Sequence, residues 1–355
     1  MDERDIRDHF LAQAKACDGL GSPFTANLCR ALAKVLDANT RTGQAVLGWP
    51  GDARADALAL RLCGALHGLV LTGANERLAL IYPPNQTSES EIAAVLPEAI
   101  ARSDERIVAG LAGAPQTNEI ARSAMLLPGF LTVARETGLP LDLCEIGASA
   151  GLNLLFDSFH YRYGDAEWGD RTSTVRLAPE VRGLAVPLGR AIDVRHRAGC
   201  DIAPVDVADA ATRLRLRSYV WADQATRLAR LDAALSLAEK FRPPLVKADA
   251  ADFVGKALAA RQEGGAFVLY HSIMWQYLPR ATKDAIIVAL EQAGRQATAA
   301  APIARLRMEP RDPTNNWAVL SLTLAGRRDA PPGPLRLPRP LDRMGGLSPI
   351  PFTQP

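Results

Sequence analysis

The sequence predicts an α/β protein, with a mainly parallel sheet carrying helices on both faces and an all-helical N-terminal domain before it. Two features predict this. Up to residue 138, apolar residues recur at helical spacing and nothing alternates with period two. From residue 141, short apolar runs alternate with helical stretches, the pattern of βαβ units. A third feature predicts one antiparallel strand: two apolar runs near the end are joined only by the turn-rich "RDPTNN".

Taken in order, residues 2–17 and 22–39 read as helices, the second opened by Ser22 as N-cap and Pro23 at its first position. Residues 53–72 place Leu58, Leu62, Leu66 and Leu69 on one stripe that Gly73 ends. A helix over 90–103 is expected to be interrupted at Pro97, and another runs from about 118 to 137 and stops at Gly138. The second region reads as strand 141–146, helix from 150, strand 192–202, helix within 208–240, strand 244–248 and helix 250–261. Strand 266–271, helix 280–296 and the strands 303–310 and 317–326 complete it. Residues 158–191 do not fit the alternation and read as an inserted loop or hairpin. The organisation expected is therefore a helical domain over 1–138, an α/β domain over 139–329, and a Pro/Gly-rich tail over 330–355.

With 355 residues, 48% apolar and 23% charged, the chain has the composition of a globular protein of one large or two moderate domains. A net charge of +2 gives no footing for a nucleic acid or a membrane surface, so a small-molecule partner is expected, and oligomeric state is left open. Five cysteines, odd in number and never in C-x-x-C, suit a reducing compartment without disulfides. No H-E-x-x-H or comparable spacing writes a metal site. The opening "MDERDIRDHF" has no apolar signal core and no run approaches a membrane span, so the expectation is cytoplasmic.

The chemistry concentrates at "LDLCEIGASAGLNLLFDSF", residues 141–159. Its turn, Gly147-Ala148-Ser149-Ala150-Gly151, satisfies G-x-S-x-G, the nucleophile elbow of a serine hydrolase, and Ser149, Asp249 and His271 follow in triad order. Three points weigh against that reading. His67-Gly68, the nearest oxyanion-hole motif, lies in a helical stripe. His271 is followed by a helix and two strands, and the residues before the elbow are helical rather than strands of a sheet. Read instead from Glu145, the same letters approximate acidic-x-G-x-G-x-G. An unpaired carboxylate ending an apolar strand is expensive to bury, and it acquires a purpose if a cationic ligand lies across the turn. Gly147 and Gly151 then let backbone approach that ligand, with Ala148 and Ser149 forming the floor and the helix start receiving a carboxylate.

Further acids fall where a nucleoside would be held. Asp201 ends the strand in "AGCDIAPVDV" and suits the two ribose hydroxyls, with Asp223 as a competitor. Asp249, in "PPLVKADAADF", suits an adenine amino group beside Ala250, or else it caps the next helix. In "YHSIMWQYLPR", His271 is the candidate general base with Tyr277 beside it, or else a satisfied core histidine. Glu309 also ends a strand, with no role assigned to it.

Together, residues 141–325 resemble a class I S-adenosylmethionine-dependent methyltransferase domain, which implies a Rossmann-like sheet and that cofactor. The strings "EIGASAGLNLLFDSFHYRYGD", "GCDIAPVDV", "VWADQATRLARLDAAL" and "HSIMWQYLP" more closely resemble a family of uncharacterised bacterial proteins, the domain-of-unknown-function family numbered twenty-three thirty-two. That resemblance extends over most of the chain and transfers no activity. The sequence departs from the general methyltransferase pattern in carrying Ser149 at the middle glycine, and in lacking an Asn-Pro-Pro-Tyr-type motif after the fourth strand. The function expected is methyl transfer to a small molecule. The alternatives are a methyltransferase fold that binds without transfer and, third, the serine hydrolase.

Overall fold

The computed structural model describes residues 2–181, 186, 188, 189, 191–310 and 318–326, and the backbone of 182, 339–340 and 346–347. The rest, including the link at 311–316, Trp317 and most of the tail, lies outside the described residues. The described residues divide into two compact units, one of residues 2–117 with 208–232, the other of 118–207 with 233–326 where described.

The first unit is helical: α1 (Glu3–Gly19), α2 (Pro23–Val35), α3 (Arg41–Leu47), α4 (Leu58–Leu71), α5 (Glu76–Ile81), α6 (Glu89–Arg102) and α7 (Asp104–Leu111). To these it adds α9 (Ala210–Ser218), which packs on α4. The expected stripe Leu58, Leu62, Leu66 and Leu69 is buried in a core with Phe10, Leu32 and Tyr82. Pro97 does not interrupt α6, which runs through it from a capping box of Ser88 and Glu91. Pro23 opens α2 as expected, but the Ser22 side chain does not cap it; the Asp223 carboxylate accepts the Phe24 N–H at 2.9 Å and the Ser22 hydroxyl donates to it as well.

The second unit is built on a sheet. Its strands are β1 (Leu141–Ile146), β6 (Val194–Asp201), β7 (Leu245–Lys247), β8 (Ala266–Ser272), β9 (Ile303–Pro310) and β10 (Ala318–Ala325), with the two-residue β11 (Arg339–Pro340) at one edge. The order is β7-β6-β1-β8-β9-β10-β11. All pairings from β7 to β9 are parallel, and β10 runs antiparallel to β9 as the sequence predicts. Every residue of β8 is buried, which suits a continuous apolar run sandwiched on both faces. Helices α11 (Ala250–Ala259) and α12 (Arg280–Arg295) share one core with Cys144, Ile146, Phe267, Leu269 and Ile303. The other face receives α8 (Arg122–Thr137), whose Phe130 meets Tyr270 edge to face and whose Gly129 has no room for a Cβ beside Leu306. Helix α10 (Ala225–Phe241) contributes residues to both units.

The segment 158–191 is the expected insertion. It holds a hairpin of β2 (His160–Tyr163) and β3 (Ala166–Gly169), with β4 (Arg176–Leu177) parallel to β2. The two-residue β5 (Val181–Arg182) pairs with β12 (Gly346–Leu347). The helix expected from residue 150 is instead a 3₁₀ segment, Leu152–Ser158, kinked at Leu155. No helix among the described residues is long and apolar enough to cross a membrane.

Candidate functional site

Strand order reverses between β1 and β8: β6 and β7 lie on one side of that junction, β9 and β10 on the other. In open α/β sheets, ligands bind outside the carboxyl ends of the strands at such a point. Glu145, Asp201, His271 and Glu309 all lie near those ends, on β1, β6, β8 and β9.

The turn after β1 is left-handed at three alternate residues, Gly147 (φ 67°), Ser149 (φ 52°) and Gly151 (φ 69°). Four N–H groups at this turn are already engaged, that of Gly151 with the Ala148 carbonyl at 2.7 Å. Ala148 donates to the Cys200 carbonyl at 3.0 Å, Ser149 to Asp201 Oδ2 at 2.8 Å, and Leu152 to Asn118 Oδ1 at 3.2 Å. The open helix start expected for an anionic ligand is therefore not formed: the segment is 3₁₀, and Asn118 takes its first N–H. Above Gly147 lies the Met274 side chain, close enough that a Cβ there would meet Met274 Cγ at 2.8 Å.

Glu145 is 2% exposed and faces the α8 layer beside Tyr270, whose hydroxyl donates to Glu145 Oε2 at 3.1 Å. Burial pushes its carboxyl up to about 8, against smaller opposing effects of the Tyr270 hydrogen bond and the Arg122 charge. Arg122 itself donates to the Ser272 carbonyl at 3.0 Å. Asp201 accepts the N–H groups of Ser149 and Ala203, tying β6 to the turn after β1. Asp223 belongs to the helical unit, where it serves α2, so Asp201 is the acid at the sheet edge. Asp249 caps α11, accepting from Ala251 at 2.7 Å, with Ala250 buried behind it.

On the opposite face from Glu145, His271 is fully buried. Its Nδ1 lies 2.6 Å from Glu309 Oε1, and its ring stacks on Trp275 at 4.9 Å. Burial lowers its pKa and favours the neutral ring, against the raising effect of Glu309. The same Glu309 oxygen accepts the N–H groups of Met274 and Trp275, both at 3.2 Å. Arg305 lies over the Trp275 ring at 4.3 Å, and burial lowers its guanidinium to about 10. Tyr277, on the 3₁₀ turn Trp275–Tyr277, is 54% exposed and does not belong to this cluster.

Chemically, the triad of the hydrolase reading does not assemble in this form. The acid on His271 is Glu309, because Asp249 is spent on a helix cap, and the Ser149 hydroxyl is buried without a partner among the described residues. Tyr270, Met274 and Arg305 are site residues that the sequence does not single out, and Glu309, legible there as a strand-ending acid, acquires its role only in the fold. The one legible signal is "RLRME", where charged residues alternate along a strand that should alternate with apolar ones. Among the described residues, no group of three or more His, Cys, Asp or Glu could hold a metal ion.

Comparison with known proteins adds one finding. No curated protein and no solved structure matches the chain. The model of a bacterial family described as "Uncharacterized protein conserved in bacteria (DUF2332)" matches residues 7–332, and the chain belongs to that family.

Proposed function

We propose that this protein binds S-adenosylmethionine on a Rossmann-like, methyltransferase-type sheet and transfers the methyl group to a small-molecule acceptor. One observation carries the reading: Glu145, near the end of β1 beside the point where strand order reverses, and Asp201, at the end of the adjacent parallel strand β6, flank a turn held left-handed at Gly147, Ser149 and Gly151. Asp201 spends two of its roughly four acceptor directions on backbone, which leaves capacity for a ribose diol. Gly147 offers close backbone approach once Met274, a flexible thioether chain, swings aside. The cofactor would supply an electrophilic methyl on a sulfonium. The chain's own task would be to hold the acceptor in line, exclude water and, through His271, take a proton from the acceptor's O–H or N–H.

The test is calorimetric titration of S-adenosylmethionine and S-adenosylhomocysteine, followed by transfer of an isotopically labelled methyl to a panel of small acceptors. Binding is expected, weakened about tenfold or more in E145Q, where a cationic ligand loses its carboxylate. No heat with either nucleoside from folded protein sinks the reading. A second reading, binding without transfer, draws on a specific feature: His271 is fully buried beside Trp275, so the base is sealed in this form. Binding with no labelled product from any acceptor class would favour it.

A further inference from the structure

Five polar atoms of one cluster have no hydrogen-bond partner among the described residues: Nε2 of His271, Oε2 of Glu309, Nε and Nη2 of Arg305, and Nε of Arg307. The strands gather them on one face. His271 on β8 is the cross-strand neighbour of Arg307, and Arg305, Arg307 and Glu309 alternate along β9. Trp275 stacks against both the His271 ring and the Arg305 guanidinium. The chain reaches Trp275 through Ile273, whose φ of 53° is costly for a β-branched residue and marks a place where the backbone is held against its preference.

The protons sort the cluster. The carboxylate facing Nδ1 of His271 assigns the ring proton to that nitrogen, which leaves Nε2 as a bare acceptor. His271 and Glu309 thus each present an unused acceptor, and the two arginines present three unused donors. An inorganic anion would satisfy the arginines alone, and a metal cation the other two alone. A carboxylate with a hydroxyl or amine on the neighbouring carbon reaches both sets at once: a hydroxyl supplies a donor to one of the two acceptors, and an ammonium supplies enough for both. We propose that this cluster beside Trp275 is a binding site for a small hydroxy- or amino-carboxylate, with its carboxylate on Arg305 and Arg307 and its O–H or N–H donated to His271 Nε2. The site shares His271 with the methyl-transfer reading but takes nothing from the nucleoside crevice, and it is tested without nucleoside, so either can fail alone.

The experiment is a thermal-shift titration of the full chain, to about 10 mM, with lactate, serine, propionate and ethanolamine. Lactate or serine is expected to raise the melting temperature at a concentration about tenfold below that needed for propionate, which has no donor to offer His271. Ethanolamine, without the carboxylate, is expected to give no shift. R307Q and the charge-keeping R307K, each melting like the wild type when ligand-free, should both weaken binding, because lysine lacks the planar fork. The proposal is overturned if no ligand shifts the protein, which would mean that water serves these atoms. It is equally overturned if propionate matches lactate, or if the folded variants bind undiminished.

Discussion

Replacing Glu145 by glutamine should make the protein more stable at alkaline pH and change little in acid. Glu145 is fully buried, its neighbour Tyr270 is a neutral donor, and among the described residues it makes no ion pair, so desolvation of the ionised form outweighs the opposing Arg122 charge. Its folded-state pKa is raised from 4.5 to about 8. Between those values the folded state holds the proton more tightly than the unfolded chain. Stability is therefore retained below about pH 4.5, falls as pH rises, and is fully diminished above about pH 8. At about 1.36 kcal/mol for each pH unit, this displacement amounts to about 5 kcal/mol by pH 9. Glutamine keeps the shape and one acceptor for Tyr270 but carries no charge at any pH. The assay is urea unfolding of both proteins at pH 5, 7 and 9, comparing their difference so that all other titrating groups cancel. That difference should grow by several kcal/mol in favour of E145Q across the series. A difference constant within about 1 kcal/mol would show that Glu145 ionises freely in the fold.

The same carboxyl links to ligand binding: if a sulfonium amino acid engages ionised Glu145, binding at pH 7 should release about 0.9 proton, measurable from the buffer dependence of the titration heat. G151A should destabilise the sheet unit by about 1–3 kcal/mol in thermal or urea unfolding. Its φ of 69° disfavours any side chain, and a Cβ would sit 3.0 Å from Leu245 Cδ2. A fluorophosphonate probe should leave Ser149 unlabelled by mass spectrometry, since its hydroxyl is buried and has no base within hydrogen-bond reach among the described residues.

What the sequence made legible follows from the range of the interactions involved. Strands 141–146 and 303–310 form over the residues that their apolar patterns mark, and the elements from 194 to 295 lie close to their expected spans, because period and punctuation are local signals. The short helices α3, α5 and α7 escaped the reading, since six to eight residues barely complete an apolar stripe. The helix from 150 is instead a 3₁₀ segment kinked at Leu155, and its first N–H is taken by Asn118 from another part of the chain, which no window contains. Asp249 caps its helix, one of the two roles its position allowed. Asp223 supports α2 from 199 residues away, and Glu309 holds His271 across 38; neither partner could be paired by spacing.

Glu309 draws these separate features into one arrangement. A single carboxylate oxygen receives the His271 ring proton and the N–H groups of Met274 and Trp275. The tautomer of the candidate base, the Trp275 ring stacked on it and the Met274 side chain over Gly147 are therefore fixed by the same acceptor. Moving Met274 off the glycine turn would pull on the hydrogen bonds that hold Trp275 against His271, because the two residues are adjacent in the chain. Exposure of the glycine turn and of the histidine would thereby be coupled through one short segment entered at the left-handed Ile273. Such coupling suits a protein that keeps a neutral, proton-accepting imidazole away from water until its ligands arrive, since water at Nε2 would compete with an acceptor's hydroxyl or amine for that lone pair.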